Sequence, residues 1–83
     1  MRVPLVAGNW KMNTNLAEAI KLVEEMKPSL EVFKAVERVV CPPFVSLAAV
    51  REVLKNSDIK VGAQNLFYED KGAFTGEVSP VML

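Results

Sequence analysis

Three short apolar runs, at residues 3–7, 39–41 and 59–63, are separated by two stretches whose apolar residues recur at intervals of three and four. That order of strand, helix, strand, helix, strand restricts the fold to the α/β class. It predicts a parallel sheet joined by right-handed crossovers. The first run closes at Gly8, and unbroken apolar runs suit strands buried on both faces. Val39-Val40-Cys41 is stopped by Pro42-Pro43, because proline donates nothing to a ladder. Ile59-Lys60-Val61-Gly62-Ala63 follows a turn cluster, Asn56-Ser57-Asp58.

Asn15 has the character of a helix N-cap, with Glu18 three residues on as its capping-box partner. Leu16, Ala19, Ile20, Val23 and Met26 then form one stripe. Glu18, Lys21 and Glu25 lie on the other side, with Glu18 and Lys21 spaced for a surface ion pair. Pro28 is expected to end or kink this helix near Lys27, leaving residues 30–36 for a further short turn. Residues 45–54 carry a second helical stripe of Leu47, Val50 and Leu54. Residues 65–78 read as a loop, and Ser79-Pro80 as a helix start, with serine at the N-cap and proline in the first turn. Less than one turn follows before Leu83. The expectation is therefore a segment of a longer domain, whether cut naturally, by design or by proteolysis. Three parallel strands leave two open edges, which self-association or a complementing segment is expected to cover.

Composition narrows the function. The 83 residues include ten basic and ten acidic side chains, a balance that argues against nucleic-acid binding and against adhesion to anionic membranes. At 51% hydrophobic the chain is too apolar for disorder, yet no run approaches the roughly 20 residues of a membrane span. Cys41 is the only cysteine and there is no histidine, so neither an internal disulfide nor a usual zinc ligand set is available. A core this small supplies only about 3–5 kcal/mol of net stability. The single thiol, with no export signal, leads to the expectation of a cytoplasmic protein.

Parallel sheets gather binding groups at the C-terminal ends of their strands. Asn9-Trp10-Lys11, Pro42-Pro43-Phe44 and Gln64-Asn65 occupy those positions. Lys11 is either a compact positive charge for a phosphate or oxyanion, or a solvated loop lysine. Asn9 either donates its amide to a ligand or holds Lys11 in place. Gln64 and Asn65 are ligand donors or buried groups bracing the loop, with bracing the better reading. Trp10 reads as packing. Cys41 reads as a buried structural thiol, since no histidine is present to activate it. Glu77 is a general base or, without a partner to raise its pKa, one half of an ion pair.

Four blocks together resemble one family. Ala7-Gly8-Asn9-Trp10-Lys11-Met12-Asn13 looks like the opening signature of the triosephosphate isomerases. Val40-Cys41-Pro42-Pro43-Phe44 and Val61-Gly62-Ala63-Gln64-Asn65 resemble their second and third strand ends. Gly72-Ala73-Phe74-Thr75-Gly76-Glu77-Val78-Ser79-Pro80-Val81-Met82-Leu83 resembles their third loop and the helix start after it. The resemblance is collinear from about residue 2 to residue 83. It implies a partial (β/α)8 barrel, β-α-β-α-β plus the start of a third helix, with residues 1–83 an incomplete N-terminal segment of one domain.

The activity implied is the interconversion of dihydroxyacetone phosphate and D-glyceraldehyde 3-phosphate, in glycolysis and gluconeogenesis, without metal or organic cofactor. By the same resemblance, Asn9 and Lys11 are catalytic and substrate-binding. Gln64, Thr75, Glu77 and Met82 belong to a homodimer interface, with Thr75 reaching Asn9 and Lys11 of the other subunit. With no histidine, and with the base, lid and later phosphate loops in family segments beyond Leu83, the chain alone is expected to be inactive. The alternative is a non-catalytic fragment that assembles through its strand edges and the interface loop.

Overall fold

The computed structural model describes residues 2–83. Strand β1 (Leu5–Asn9) leads to helix α1 (Leu16–Glu31) and strand β2 (Glu37–Cys41). A single 3-10 turn (Phe44–Ser46) then enters helix α2 (Leu47–Leu54), and strand β3 (Lys60–Val61) follows. The three strands are parallel in the order β1-β2-β3, as the alternation of elements predicts. No helix among the described residues is long and apolar enough to cross a membrane.

Local sequence determines where α1 begins. Asn15 Oδ1 accepts from the Glu18 N–H, and Glu18 Oε1 accepts from the Asn15 N–H, both at 2.9 Å. These bonds satisfy donors that the first helical turn leaves unpaired. Engaged in this way, Glu18 forms no ion pair with the expected partner Lys21. Asn15→Ala is expected to cost about 1 kcal/mol and to lower the melting temperature by roughly 4–8 °C. An unchanged thermal transition by circular dichroism would contradict that role for the cap.

The far end of α1 departs from expectation. The helix runs through Pro28 to Glu31, and residues 32–36 form turns, not a second helix. Proline so near a C-terminus forfeits one amide bond, while several contacts from outside hold the last turn. Leu30 packs against the core. Lys27 Nζ donates to the Val53 carbonyl at 3.3 Å, and Arg38 Nη1 donates to the Leu30 carbonyl at 2.5 Å.

Both helices pack on one face of the sheet. Ala19 and Val23 of α1, Val50 and Leu54 of α2, Val40 of β2, and Ile59 form the buried cluster. Along β2 the side chains alternate, with Arg38 and Val40 buried towards the helices. The register pairs Ala7 with Val39 and Asn9 with Cys41 on the opposite face, where no helix lies. Expectation fails again at β1. It extends through Gly8 to Asn9, and it is exposed along its whole length, with Leu5 at 61% and Val6 at 63%. A strand is buried on both faces only where other elements cover them, and no residue of β1 joins the buried cluster; in the sheet plane it has β2 on one edge alone.

The consequence is visible in the whole surface. A compact monomer of this mass exposes about 4,900 Å², whereas this chain exposes 6175 Å². Its radius of gyration, 13.9 Å, exceeds the roughly 12 Å of a compact chain of this length. β3 is also shorter than expected, pairing only over Lys60–Val61, although the Gly62 N–H still donates to Val40 O at 2.9 Å. After the loop, Ser79 Oγ accepts from the Met82 N–H at 3.3 Å, and the Leu83 N–H donates to Pro80 O at 3.1 Å. The expected cap is thus made, on a single turn.

Arg38 joins three segments below the sheet. It is 6% exposed, and its Nε donates to Val36 O at 3.0 Å while Nη2 meets Asp58 Oδ2 at 2.6 Å. The hydrogen bond from Arg38, opposed in part by burial, holds the Asp58 carboxyl below its ordinary pKa of 3.8. A carboxylate with a depressed folded-state pKa adds stability above its unfolded value and loses it as pH falls through the lowered one. Stability is therefore expected to fall below about pH 4, and less steeply in Asp58→Asn. Superimposable acid-unfolding curves for the two proteins would contradict this.

Candidate functional site

β1 ends in a clamp around one lysine. The Trp10 N–H donates to Cys41 O at 3.2 Å, and Trp10 packs against the core. The chain then reverses at Lys11, whose φ is +57°. L residues seldom adopt that region, at a cost of roughly 1–2 kcal/mol, and it persists where surroundings over-determine it. Here they do. Asn9 Oδ1 accepts from the Lys11 N–H at 2.9 Å. Gln64 Nε2 donates to Lys11 O at 2.9 Å and to Cys41 O at 2.8 Å. Asn13 Nδ2 donates to Trp10 O at 2.7 Å.

The base of the Lys11 side chain is therefore fixed from both of its peptide groups. The side chain is exposed, with no ion pair among the described residues. This leaves an unneutralised ammonium at the C-terminal mouth of the sheet, suited to a phosphate or a developing oxyanion. Of the two roles open to Asn9, the structure realises the holding of Lys11. Gln64 braces the loop, as read from the sequence, but from an exposed position. Asn65 is also exposed, and its Oδ1 accepts from the Leu66 N–H at 2.8 Å. Cys41 is half-buried, not fully buried, and its carbonyl oxygen, which sequence reasoning missed, is a fixed point of the clamp.

The loop after β3 holds its own shape. The Phe67 N–H donates to Val78 O at 2.8 Å, closing its base, and the Glu77 N–H donates to Phe74 O at 3.1 Å, closing its tip. Gly76, with φ +88°, occupies the third position of that tip, where a type II turn requires positive φ. The Phe67 ring lies 4.5 Å from Phe74 and 4.6 Å from Tyr68, centroid to centroid. Thr75, Glu77 and Met82 are all exposed. Glu77 forms no ion pair among the described residues, so the ion-pair reading is not realised within the chain. No hydrogen bond among those residues joins Thr75 to Asn9 or Lys11 of the same chain.

An open groove of about 880 Å³ lies elsewhere. Phe44, Leu47, Val61, Leu66 and Val78 give it an apolar lining, and Gln64 borders it, but Asn9 and Lys11 do not. Polar convergence, not volume, locates the candidate site at the Lys11 clamp.

Comparison with known proteins agrees with this geometry. A family model described as triosephosphate isomerase matches residues 4–83. A triosephosphate isomerase of Dehalococcoides mccartyi (strain CBDB1) is 58% identical over all 83 residues, and one of Clostridium perfringens (strain SM101 / Type A) is 57% identical. The crystal structure of a triosephosphate isomerase from Bartonella henselae superposes with a TM-score of 0.88 over 98% of this chain, at 30% identity. The chain spans about a third of the length of each. Its three parallel strands and two helices are accordingly part of a (β/α)8 barrel. By its fold, by residues 4–83 and by the collinear strand-end motifs, the chain belongs to the triosephosphate isomerase family.

Proposed function

We propose that this chain supplies the N-terminal third of a single barrel domain that interconverts dihydroxyacetone phosphate and D-glyceraldehyde 3-phosphate by proton transfer. The observation that carries the reading is the braced Lys11 at the end of β1. Its ammonium binds the substrate phosphate and offsets charge developing on the enediolate-like transition state, while Asn9 holds the lysine and borders the carbonyl end of the substrate. Triosephosphate isomerase is itself the standard illustration of a glutamate base working beside a neutral histidine electrophile. The 83 residues contain no histidine, so in this reading the electrophile comes from chain outside them, and the family resemblance assigns the base to the same later segments. Glu77 is not that base, because its position matches the family's interface loop. Cys41, the only thiol, fits a reducing, cytoplasmic compartment.

Grafting residues 1–83 in place of the matching third of the Dehalococcoides relative tests the proposal. At 58% identity over that third, an active isomerase is expected. A folded graft without turnover would contradict it.

A second reading has its own support. The exposed β1 strand and the self-packed aromatic loop suit a non-catalytic module that associates through its edges and through Gln64, Thr75, Glu77 and Met82. Association without any restored turnover, once the rest of a barrel is supplied, distinguishes this reading from the first.

A further inference from the structure

Gln64 ties the lysine turn to the centre of the sheet through one amide group. Its Nε2 donates to Lys11 O at 2.9 Å and to Cys41 O at 2.8 Å. Only the nitrogen end of an amide can meet two carbonyl oxygens, so these partners fix which way the group points. Both of its hydrogens are then engaged. What remains is Oε1, an acceptor, which has nothing to offer a phosphate or an oxyanion. The Cys41 carbonyl also receives the Trp10 N–H at 3.2 Å, so both of its acceptor positions are filled. Cys41 is the last residue of β2, the strand between β1 and β3.

The two peptide groups of Lys11 are secured differently. Its N–H is held locally, by Asn9 at 2.9 Å. Its carbonyl accepts no hydrogen bond among the described residues except the one from Gln64, 53 residues on. The φ of +57° at Lys11 runs against the preference of an L residue. That cost is comparable to the net contribution of two hydrogen bonds. Without the Gln64 amide the strained residue is tied on one side only, and its side chain starts from a different place.

We infer that Gln64 is a positioning residue for the proposed isomerase reaction: its amide fixes the backbone from which the Lys11 ammonium reaches the transition state. It acts through Lys11 and does not touch substrate. The inference rests on the role proposed for Lys11. It gives Gln64 a part in the reaction besides the interface place that the family resemblance implies.

The barrel grafted with residues 1–83 tests this. Gln64→Met keeps the length of the side chain and removes both donors. It is expected to lower kcat by about 10- to 100-fold, the scale of an ångström-sized misplacement. KM should rise by less than about threefold, because the ammonium is still present to attract the phosphate while its alignment with the transition state is lost. In a Lys11→Met graft the same substitution is expected to cost less than about twofold, because the group it positions is gone. A loosened fold or subunit contact would cost as much in either background, so the comparison separates positioning from support. Should the methionine variant fail to fold, Gln64→Asn takes its place. It keeps the amide but is one methylene too short to span both carbonyls, and it should lose kcat in the same way, again only while Lys11 is present. Undiminished kcat in the Gln64 variant that folds, an effect confined to KM, or an equal loss with and without the Lys11 ammonium would each overturn the inference, while a slow Lys11→Met graft leaves the proposed function standing. A Lys11→Met graft that turns over at the parent rate would overturn both.

Discussion

Lys11→Met in the grafted barrel is expected to lower kcat/KM by about 100- to 1,000-fold, the usual scale for removing one preorganised group that stabilises transition-state charge. Methionine keeps most of the apolar stem and removes the ammonium, so the loss reports charge and not packing. The loss should appear in kcat as well as in KM, because in the proposed role the same ammonium binds the ground-state phosphate and offsets charge formed later. Lys11→Arg should recover only part of the rate. A broader, planar guanidinium replaces a compact point charge on a stem whose origin is fixed by Asn9 and Gln64. A Lys11→Met graft that turns over at the parent rate would remove Lys11 from the chemistry and leave the clamp a structural feature.

The second large effect is on stability. Arg38→Met retains the apolar stem but removes the donors that reach the Leu30 and Val36 carbonyls. Charged hydrogen bonds in a nearly buried setting contribute about 2–3 kcal/mol together. That is most of the roughly 3–5 kcal/mol expected of a core this small. The variant is expected to be largely unfolded where the parent is folded, or to shift its urea midpoint far downward at matched protein concentration. An unchanged midpoint would mean that these carbonyls find water instead, and that the end of α1 does not depend on Arg38.

The features that were legible in the sequence are local ones. The Asn15–Glu18 capping box is a four-residue pattern, and it forms as written. The alternation of strand and helix is set by short-range periodicity, and the parallel order β1-β2-β3 follows from it. What was misread depends on distant partners. Pro28 is a helix breaker by its own chemistry, but Leu30, Lys27 and Arg38 secure the turn beyond it. The apolar run of β1 describes a strand made to be covered, and no run of residues can state whether its neighbours are present. The Lys11 clamp was half visible. Asn9 two residues before Lys11 is a pattern for a side-chain turn, whereas Gln64 lies 53 residues away and reaches Lys11 only because β1 and β3 flank the same central strand.

The same geometry links fold to activity. A strand end that fixes a lysine is preorganised before any substrate arrives, and preorganisation makes a single charge effective. In the function proposed above, the proton transfer draws on a histidine, and the 83 residues contain none. The most direct measurement is turnover of glyceraldehyde 3-phosphate by the purified chain of verified mass, alone and after mixing with the remaining two thirds of a family barrel. No turnover is expected from the chain alone, and turnover is expected on mixing. Steady turnover by the chain alone, or a stable complex that stays silent, would contradict it.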